Sequence, residues 1–276
     1  MERILTVQDI SCVGKCSLTV ALPIISAMGV ECCILPTAVL SAHTVFRGYT
    51  FRDLTEDLSG IIDHWQREML DFRAVYTGYL GSQEQIDTVK RLFTAYPDSY
   101  RIVDPVMGDH GRLYPGFTEE FARGMAELCK DADVIIPNMT EAAYMLGVPY
   151  PGNDYDEIYV RDMLDVLTRR GPRIAALTGV SLERGKVGVM AYDRDADEYF
   201  YYCREHFPAT FHGTGDIFAS TFTGALVRGG DYKAALCVAV DYTVECIKKT
   251  LENPEHVSYG VEFERAIPYL CKRIEE

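Results

Sequence analysis

The sequence lacks several features, and each absence removes a class of function. Across 276 residues no apolar run approaches the roughly 18 residues of a membrane span. No block of Lys and Arg supplies the concentrated basic face that nucleic acid demands. The opening MERILTVQDI has neither the basic start nor the long apolar stretch of a secretory signal. The nine cysteines are odd in number and contain no C-x-x-C pair, and Cys12 and Cys16, nearest to a ligand spacing, have no His close in sequence. Buried free thiols in a reducing cytoplasm are therefore expected rather than disulfides or a metal cluster. No linker, repeat or low-complexity tract interrupts the chain. Two nucleotide signatures are also missing. DISCVGKCS ends like a P-loop with Gly14, Lys15 and Ser17, but the first glycine would fall at Asp9 and Ser17 is one place late. GTGDIF is not G-x-G-x-x-G, because Phe218 stands at the third glycine.

What is present is a soluble, globular composition, 48% apolar and 25% charged, with a formal charge of −14 from 41 acidic and 27 basic residues. An anionic ligand would need its own local positive field against that background. Short apolar runs ended by turn residues recur at 3–9, 32–39, 74–80, 101–107, 133–138 and 173–179; lacking polar alternation, they predict strands buried on both faces. Helical stretches fall between them at 15–28, 54–70, 83–95, 117–130, 140–147 and 157–170. Residues 186–206 place two strands around a polar DRDAD turn, an antiparallel hairpin. Further helices are expected to about Val227, from Asp231 to Thr250, and near 259–274. The pattern predicts an α/β sandwich on a mostly parallel sheet, a single domain over residues 1–276. Ligands of such sheets bind outside the C-terminal strand ends. There stand Asp9, Thr44, GYLGS, DPVMGD, PNMTE and TGVS.

FHGTGDIFAST (211–221) sets Gly213, Thr214, Gly215 and Asp216 directly before an apolar helical run. Unpaired N–H groups at a helix start, with the dipole behind them, form an anion site, and glycines let the backbone come close. A carboxylate in that place suits a base that takes the proton of an attacking hydroxyl. The competing reading is that Asp216 caps the helix.

Taken in order, SAHT (41–44), TGYLGSQEQ (77–85), DPVMGD (104–109), PNMTEAAYM (137–145) and GTGD (213–216) give the chain, over nearly its whole length, a resemblance to the pyridoxal (vitamin B6) kinases of the ribokinase superfamily. GTGD alone is shared with sugar kinases; GYLGS joined to DPVMGD at this spacing is more specific. The resemblance implies a ribokinase-like three-layer α/β/α sandwich that phosphorylates the 5′-hydroxyl of pyridoxal, pyridoxine or pyridoxamine from ATP. It implies Asp216 as catalytic base, with Gly213, Thr214 and Gly215 as the anion hole. Thr44 and Tyr79 would contact the pyridine ring, Tyr79 offering a flat face and a polar tip. Asp104, Asp109 and Glu141 resemble the acidic set near the ATP phosphates, Asp109 and Glu141 on the Mg²⁺ side. Asn138, Thr178, Thr214 and Tyr114 would line the nucleotide. The resemblance also implies a homodimer and allows a monovalent cation such as K⁺.

One departure concerns the N-terminus. Family members commonly carry QSHV, and here Gln8 is followed by Asp9 at the serine's place. An anion there should favour a cationic partner, such as a protonated ring nitrogen or an aminomethyl group. Two alternatives stand beside the B6 reading. Hydroxymethylpyrimidine kinases share the fold but usually have a cysteine where Asp216 stands, and a non-catalytic B6-binding protein would not need Asp216 and the acidic set. A sugar kinase is disfavoured, because residues 10–40 show no inserted strands for a sugar-covering lid.

Overall fold

A computed structural model describes residues 1–275 of the chain. The chain opens with β1 (Arg3–Ser11), α1 (Leu18–Ala27), β2 (Glu31–Leu40), β3 (Phe51–Asp53), α2 (Thr55–Arg67) and β4 (Ala74–Thr77). It continues through α3 (Gln83–Ala95), β5 (Tyr100–Val103), β6 (Gly108–Asp109), β7 (Arg112–Leu113), α4 (Glu119–Cys129), β8 (Val134–Ile135), α5 (Met139–Leu146) and α6 (Glu157–Arg169). Then come β9 (Ile174–Val180), β10 (Lys186–Asp193), β11 (Glu198–Glu205), α7 (Thr214–Val227), α8 (Tyr232–Leu251), a 3-10 turn (Phe263–Ala266) and α9 (Ile267–Arg273). Residues 1–76 with 207–276 make one compact unit, and residues 77–206 make another.

In the first unit β1 lies between β4 and β2, with β3 antiparallel on the outer side of β2. The central strand is apolar and buried, Ile4, Leu5 and Val7 having no exposed surface, as expected of a parallel strand covered on both faces. Its pairing with β2 is regular from Arg3↔Glu31 to Gln8↔Pro36 and then slips, so that Ile10 faces Val39. The irregularity falls at Asp9, and a bulge of this kind re-aims side chains at a strand end. Helix α7 packs on α1 and α8. Its residues from Ile217 to Ala225 are all buried, which is how an α-helix that is apolar all round must sit.

In the second unit the order is β5, β8, β9, β10, β11. The first three are parallel, and β10 runs antiparallel to both β9 and β11, the expected hairpin. Helix starts here follow local chemistry: Ser82, Thr118 and Asp156 each accept a first-turn backbone N–H, one of the orphan donors that a helix start leaves.

Several apolar runs are shorter as strands than the sequence predicts. The run over 74–80 ends at Thr77, and that over 101–107 ends at Val103. Asp104 N–H still donates to Thr77 O at 3.0 Å, but Pro105 has no N–H with which to continue a ladder. The chain instead folds Gly108–Asp109 back on Arg112–Leu113. Pro137 likewise limits the 133–138 run to Val134–Ile135. The last expected helix is divided into the 3-10 turn and α9, with a proline in the first turn of α9, where a missing N–H costs nothing.

The C-terminal segment is fastened by a buried contact: Tyr242 Oη donates to Phe263 O at 3.0 Å. Tyr242→Phe leaves that carbonyl without its donor and should lower unfolding stability by about 1–3 kcal/mol, read as a lower urea midpoint with an unchanged slope.

Candidate active site

In the first unit, the segment after β1 (residues 12–17), the start of α7 and the residues before the 3-10 turn come together. Gly213 is the N-cap of α7, in the left-handed region at φ 83°, ψ 0°. A Cβ there would strike the Lys15 carbonyl, so both backbone angle and packing require glycine. Gly215 is different: a Cβ on it would meet no atom within 4 Å. Its bareness serves no packing and leaves space over the helix start. No side chain caps α7. Ile217 N–H donates to Gly213 O at 2.9 Å, opening the helical ladder, so the N–H groups before it have no intrahelical acceptor. Thr214 Oγ1 makes a local turn bond to Phe211 O at 3.4 Å. Asp216 lies in the third helical position of the first turn, and the cap itself is Gly213.

The backbone N–H of Ser17 faces the Asp216 carboxylate and favours its charged form. Ser17 is buried and has φ 50°, ψ −132°, a positive φ that strains a residue with a side chain by roughly 1–3 kcal/mol. Burial pushes the Asp216 carboxyl up to about 7; the Ser17 N–H opposes the rise and the charge of Asp9 adds to it. Asp9 is only 5% exposed. Its Oδ2 accepts from Ser11 Oγ at 3.2 Å, and the Ser17 hydroxyl also serves it. Burial raises its pKa, and the two serines oppose the rise. The neighbouring Cys16 thiol is driven far up by burial and by both carboxylates, which keeps it protonated and unreactive.

Thr44 is exposed in the segment after β2. The preceding residue ties this segment down, since His43 N–H donates to Val13 O at 2.8 Å and the His43 and His212 rings lie 4.8 Å apart. His43 Nδ1 accepts from Val45 N–H at 3.2 Å, so the neutral ring carries its proton on Nε2. Burial, then repulsion from His212, lowers the His43 pKa.

In the second unit the start of α5 gathers Asn138, Glu141, Thr178 and Asp109. Asn138 Oδ1 accepts from Thr140 N and Glu141 N at 2.8 and 3.0 Å, while its Nδ2 donates to Gly108 O at 2.9 Å. Glu141 returns the capping box by accepting from Asn138 N at 2.8 Å, and also accepts from Met107 N at 3.1 Å. Thr178 pairs with Asn138 in an isolated parallel bridge and donates through its N–H to Pro137 O at 2.9 Å. Tyr114 is exposed and joins the group through its N–H to Met107 O at 2.9 Å. Asp104 is buried at the end of β5. Tyr79 is half-buried, its ring 5.3 Å from Phe117, which stacks on Phe121 at 4.2 Å.

Glu141 is 3% exposed, and its pKa rises through burial, backbone N–H donors opposing and the charge of Asp109 adding to the rise. Asp109 is exposed and accepts from His110 N at 2.7 Å. Two mutually repelling carboxylates, one in contact with water, fit a divalent cation. Among the described residues no group of three or more His, Cys, Asp or Glu gathers.

The sequence reading did not single out His43 or His212, and it treated Lys15 and Ser17 only as parts of a failed P-loop. The place of Ser17 depends on a backbone N–H and an unusual φ. The histidines were legible only as neighbours of SAHT and GTGD.

The start of α7 thus sets bare amides beside a carboxylate of raised pKa. The phosphomethylpyrimidine kinase profile matches residues 22–260, and the chain belongs to that family. A Bacteroides thetaiotaomicron protein assigned to the phosphomethylpyrimidine kinases and solved with pyridoxal is 39% identical, with TM-score 0.92 over 98% of this chain and 95% of that one. The pyridoxal kinase of Lactobacillus plantarum is 31% identical, with TM-score 0.90 over 99% of this chain and 97% of that one. A pyridoxal kinase of Granulibacter bethesdensis is 27% identical over 287 residues, 98% of each chain. These likenesses bear out the ribokinase-like α/β fold class.

The two glycines separate packing from ligand space. Gly213→Ala should destabilise the protein by more than the ~1–2 kcal/mol of a left-handed residue with a side chain. Gly215→Ala should hold or raise stability, by up to about 0.5–1 kcal/mol, yet lose most turnover. Thermal melts and rates on the two variants check this, and full activity in Gly215→Ala would mean that no ligand group approaches there.

Proposed function

We propose that the chain transfers the γ-phosphoryl group of ATP to the 5′-hydroxyl of a B6 vitamer, with Asp216 as the base. One observation carries the reading: a half-buried carboxylate, its pKa near neutrality, stands in the first turn of α7 among amides with no helical acceptor. The resemblance to a 39% identical protein solved with pyridoxal supports the substrate class. A base is most effective when its pKa lies near the working pH. The vitamer oxygen attacks the γ-phosphorus, the bond to the β–γ bridging oxygen breaks, and ADP leaves with that electron pair. Asp216 takes the hydroxyl proton. The amides of Gly213, Thr214 and Gly215 stabilise charge on the transferring group, and the open space over Gly215 admits it.

In this reading Thr44, Tyr79 and Asp9 serve the vitamer, and Asp104, Asn138, Thr178, Thr214 and Tyr114 serve the nucleotide. The Asn138 side chain holds Gly108 O and the α5 start, so its part is to shape the nucleotide side. Asp109 and Glu141 would hold Mg²⁺, which when bound neutralises charge on the phosphates. The proposal includes one kinase domain of 276 residues, acting as a homodimer in the cytoplasm, with room for a monovalent cation such as K⁺. The family profile favours a second reading, phosphorylation of hydroxymethylpyrimidine. Phosphate transfer from ATP to pyridoxal, pyridoxine, pyridoxamine and hydroxymethylpyrimidine, measured side by side, decides between them. Failure with every B6 vitamer would overturn the main reading.

Asp216→Asn should lower kcat about 10²–10⁴-fold. It should also stabilise the fold above pH 7. A carboxyl whose pKa is raised in the folded state is least favourable there when charged, so its penalty is full above about 7 and fades as pH falls toward its unfolded value. A melt at pH 8 showing no gain, together with unchanged turnover, would remove Asp216 from this role.

The same shift predicts the pH profile. The base form is lost as pH falls through about 7, so kcat/KM should decline on that side. Asp9→Asn removes a repulsion that raises the Asp216 pKa, and should move the acid limb to lower pH. An unmoved limb would mean that the two carboxylates do not interact in the working enzyme.

A further inference from the structure

The segment between β1 and α1 is tied down nearly residue by residue. Cys12 N–H donates to Leu40 O at 2.8 Å, Val13 O accepts from His43 N at 2.8 Å, and Thr19 Oγ1 donates to Gly14 O and Cys16 O at 3.1 and 2.7 Å. The Ser17 N–H faces the Asp216 carboxylate. Lys15 is held by the far end of the chain. Its carbonyl fills the place a Cβ on Gly213 would need, and its own Cβ fills the place of one on Gly260. Its side chain is 14% exposed, and the ammonium meets Glu264 Oε1 and Oε2 at 2.5 and 2.6 Å. It also lies 5.3 Å from the centre of the Phe263 ring.

Glu264 stands on a well-anchored support. Tyr242 Oη donates to Phe263 O, Glu262 N–H donates to Thr250 Oγ1 at 2.9 Å, and Asn253 Nδ2 donates to Glu262 Oε1 at 2.8 Å. Arg265 Nη1 donates to Lys249 O at 2.7 Å and to Glu262 Oε2 at 3.1 Å. The 3-10 turn is thus braced on the end of α8 and delivers a carboxylate to Lys15 across 249 residues of sequence. Exposed lysine–glutamate pairs contribute little stability. This pair has its stem covered by Gly260 and its head over Phe263, and the residue it holds packs on Gly213.

We propose that Lys15 and Glu264 are positioning residues for phosphoryl transfer: the pair presses the 12–17 segment against Gly213 and thereby aligns the Ser17 N–H on the Asp216 carboxylate. The inference rests on Asp216 being the base. A shift of Lys15 moves the Gly213 end of the anion site through the Lys15 carbonyl, and moves the Ser17 N–H two residues further on. Displacements near 1 Å in such a site can reduce rates about 10²-fold.

The test uses the full chain with Glu264→Gln, Glu264→Asp, Lys15→Met and the double variant Lys15→Met/Glu264→Gln. In Glu264→Gln and Lys15→Met kcat should fall about 10- to 100-fold, with KM for ATP and for the vitamer nearly unchanged. The double variant should be no worse than the weaker single. The acid limb of kcat/KM should move to higher pH, because the Ser17 N–H favours the charged form of Asp216. Asp9 and Cys16, the other titratable groups facing Asp216, are unaltered in every variant, and the double variant keeps the summed charge of the pair, so movement of its limb reports on Ser17. Glu264→Asp keeps the charge and shortens the reach; its kcat should be intermediate, and it decides the matter if Glu264→Gln does not fold. Wild-type kcat and an unmoved limb in the folded variants would overturn the proposal, as would a rise in KM for ATP alone, which would make Lys15 a nucleotide contact. A wild type inactive toward every vitamer would instead strike the kinase reading itself.

Discussion

The carboxylate of Asp216 sits half-buried at a helix start among bare amides, near a second carboxylate, and the backbone N–H of Ser17 favours its charged form. That N–H exists in the right place only because Ser17 accepts a positive φ. Gly213 must likewise be left-handed to open α7 against the Lys15 carbonyl. The rest of the first unit supplies the conditions for this contact: a buried β1 that ends at a bulge, an α7 covered almost all round, and a C-terminal segment braced on α8. Strain stored at such a point persists only when the surroundings over-determine it.

The electrostatics follow from the same arrangement. In a protein of formal charge −14, phosphate cannot be drawn by net charge and must be met by local donors. The start of α7 offers bare amides without a basic side chain, and the space over Gly215 is open. Desolvation of Asp216 and the nearby charge of Asp9 bring its pKa near neutrality, at a cost to stability above pH 7. In the second unit a carboxylate is used in another way. Glu141 is spent on backbone N–H groups, so its first duty is to shape the 105–108 segment and the α5 start, and Asp109 is the acid that reaches water.

Much of this was legible in the chain itself. Apolar runs marked β1, β2 and β9, although β2 is covered only in part, and the DRDAD turn marked the β10–β11 hairpin, because strand period and turn chemistry are local properties. GTGD before an apolar run marked the start of α7 for the same reason. Strand ends were less legible. Tyr79 and Met107 stand in apolar runs that continue past the last ladder bond, and only pairing decides where a strand stops. Asp9 read as a carboxylate at a strand end, but its burial between Ser11 and Ser17 depends on how the segment after β1 folds back.

The sequence by itself determined the α/β class and the placing of Gly213, Gly215 and Asp216 at the start of α7, since these rest on composition, periodicity and motifs of a few adjacent residues. Tertiary structure alone decided what each of those residues can do. It made Gly213 obligatory and Gly215 merely open, turned Ser17 into a donor to Asp216, and brought Glu264 to Lys15 from 249 residues away. Such facts depend on backbone angles and on contacts between distant segments, and no local pattern of residues encodes either.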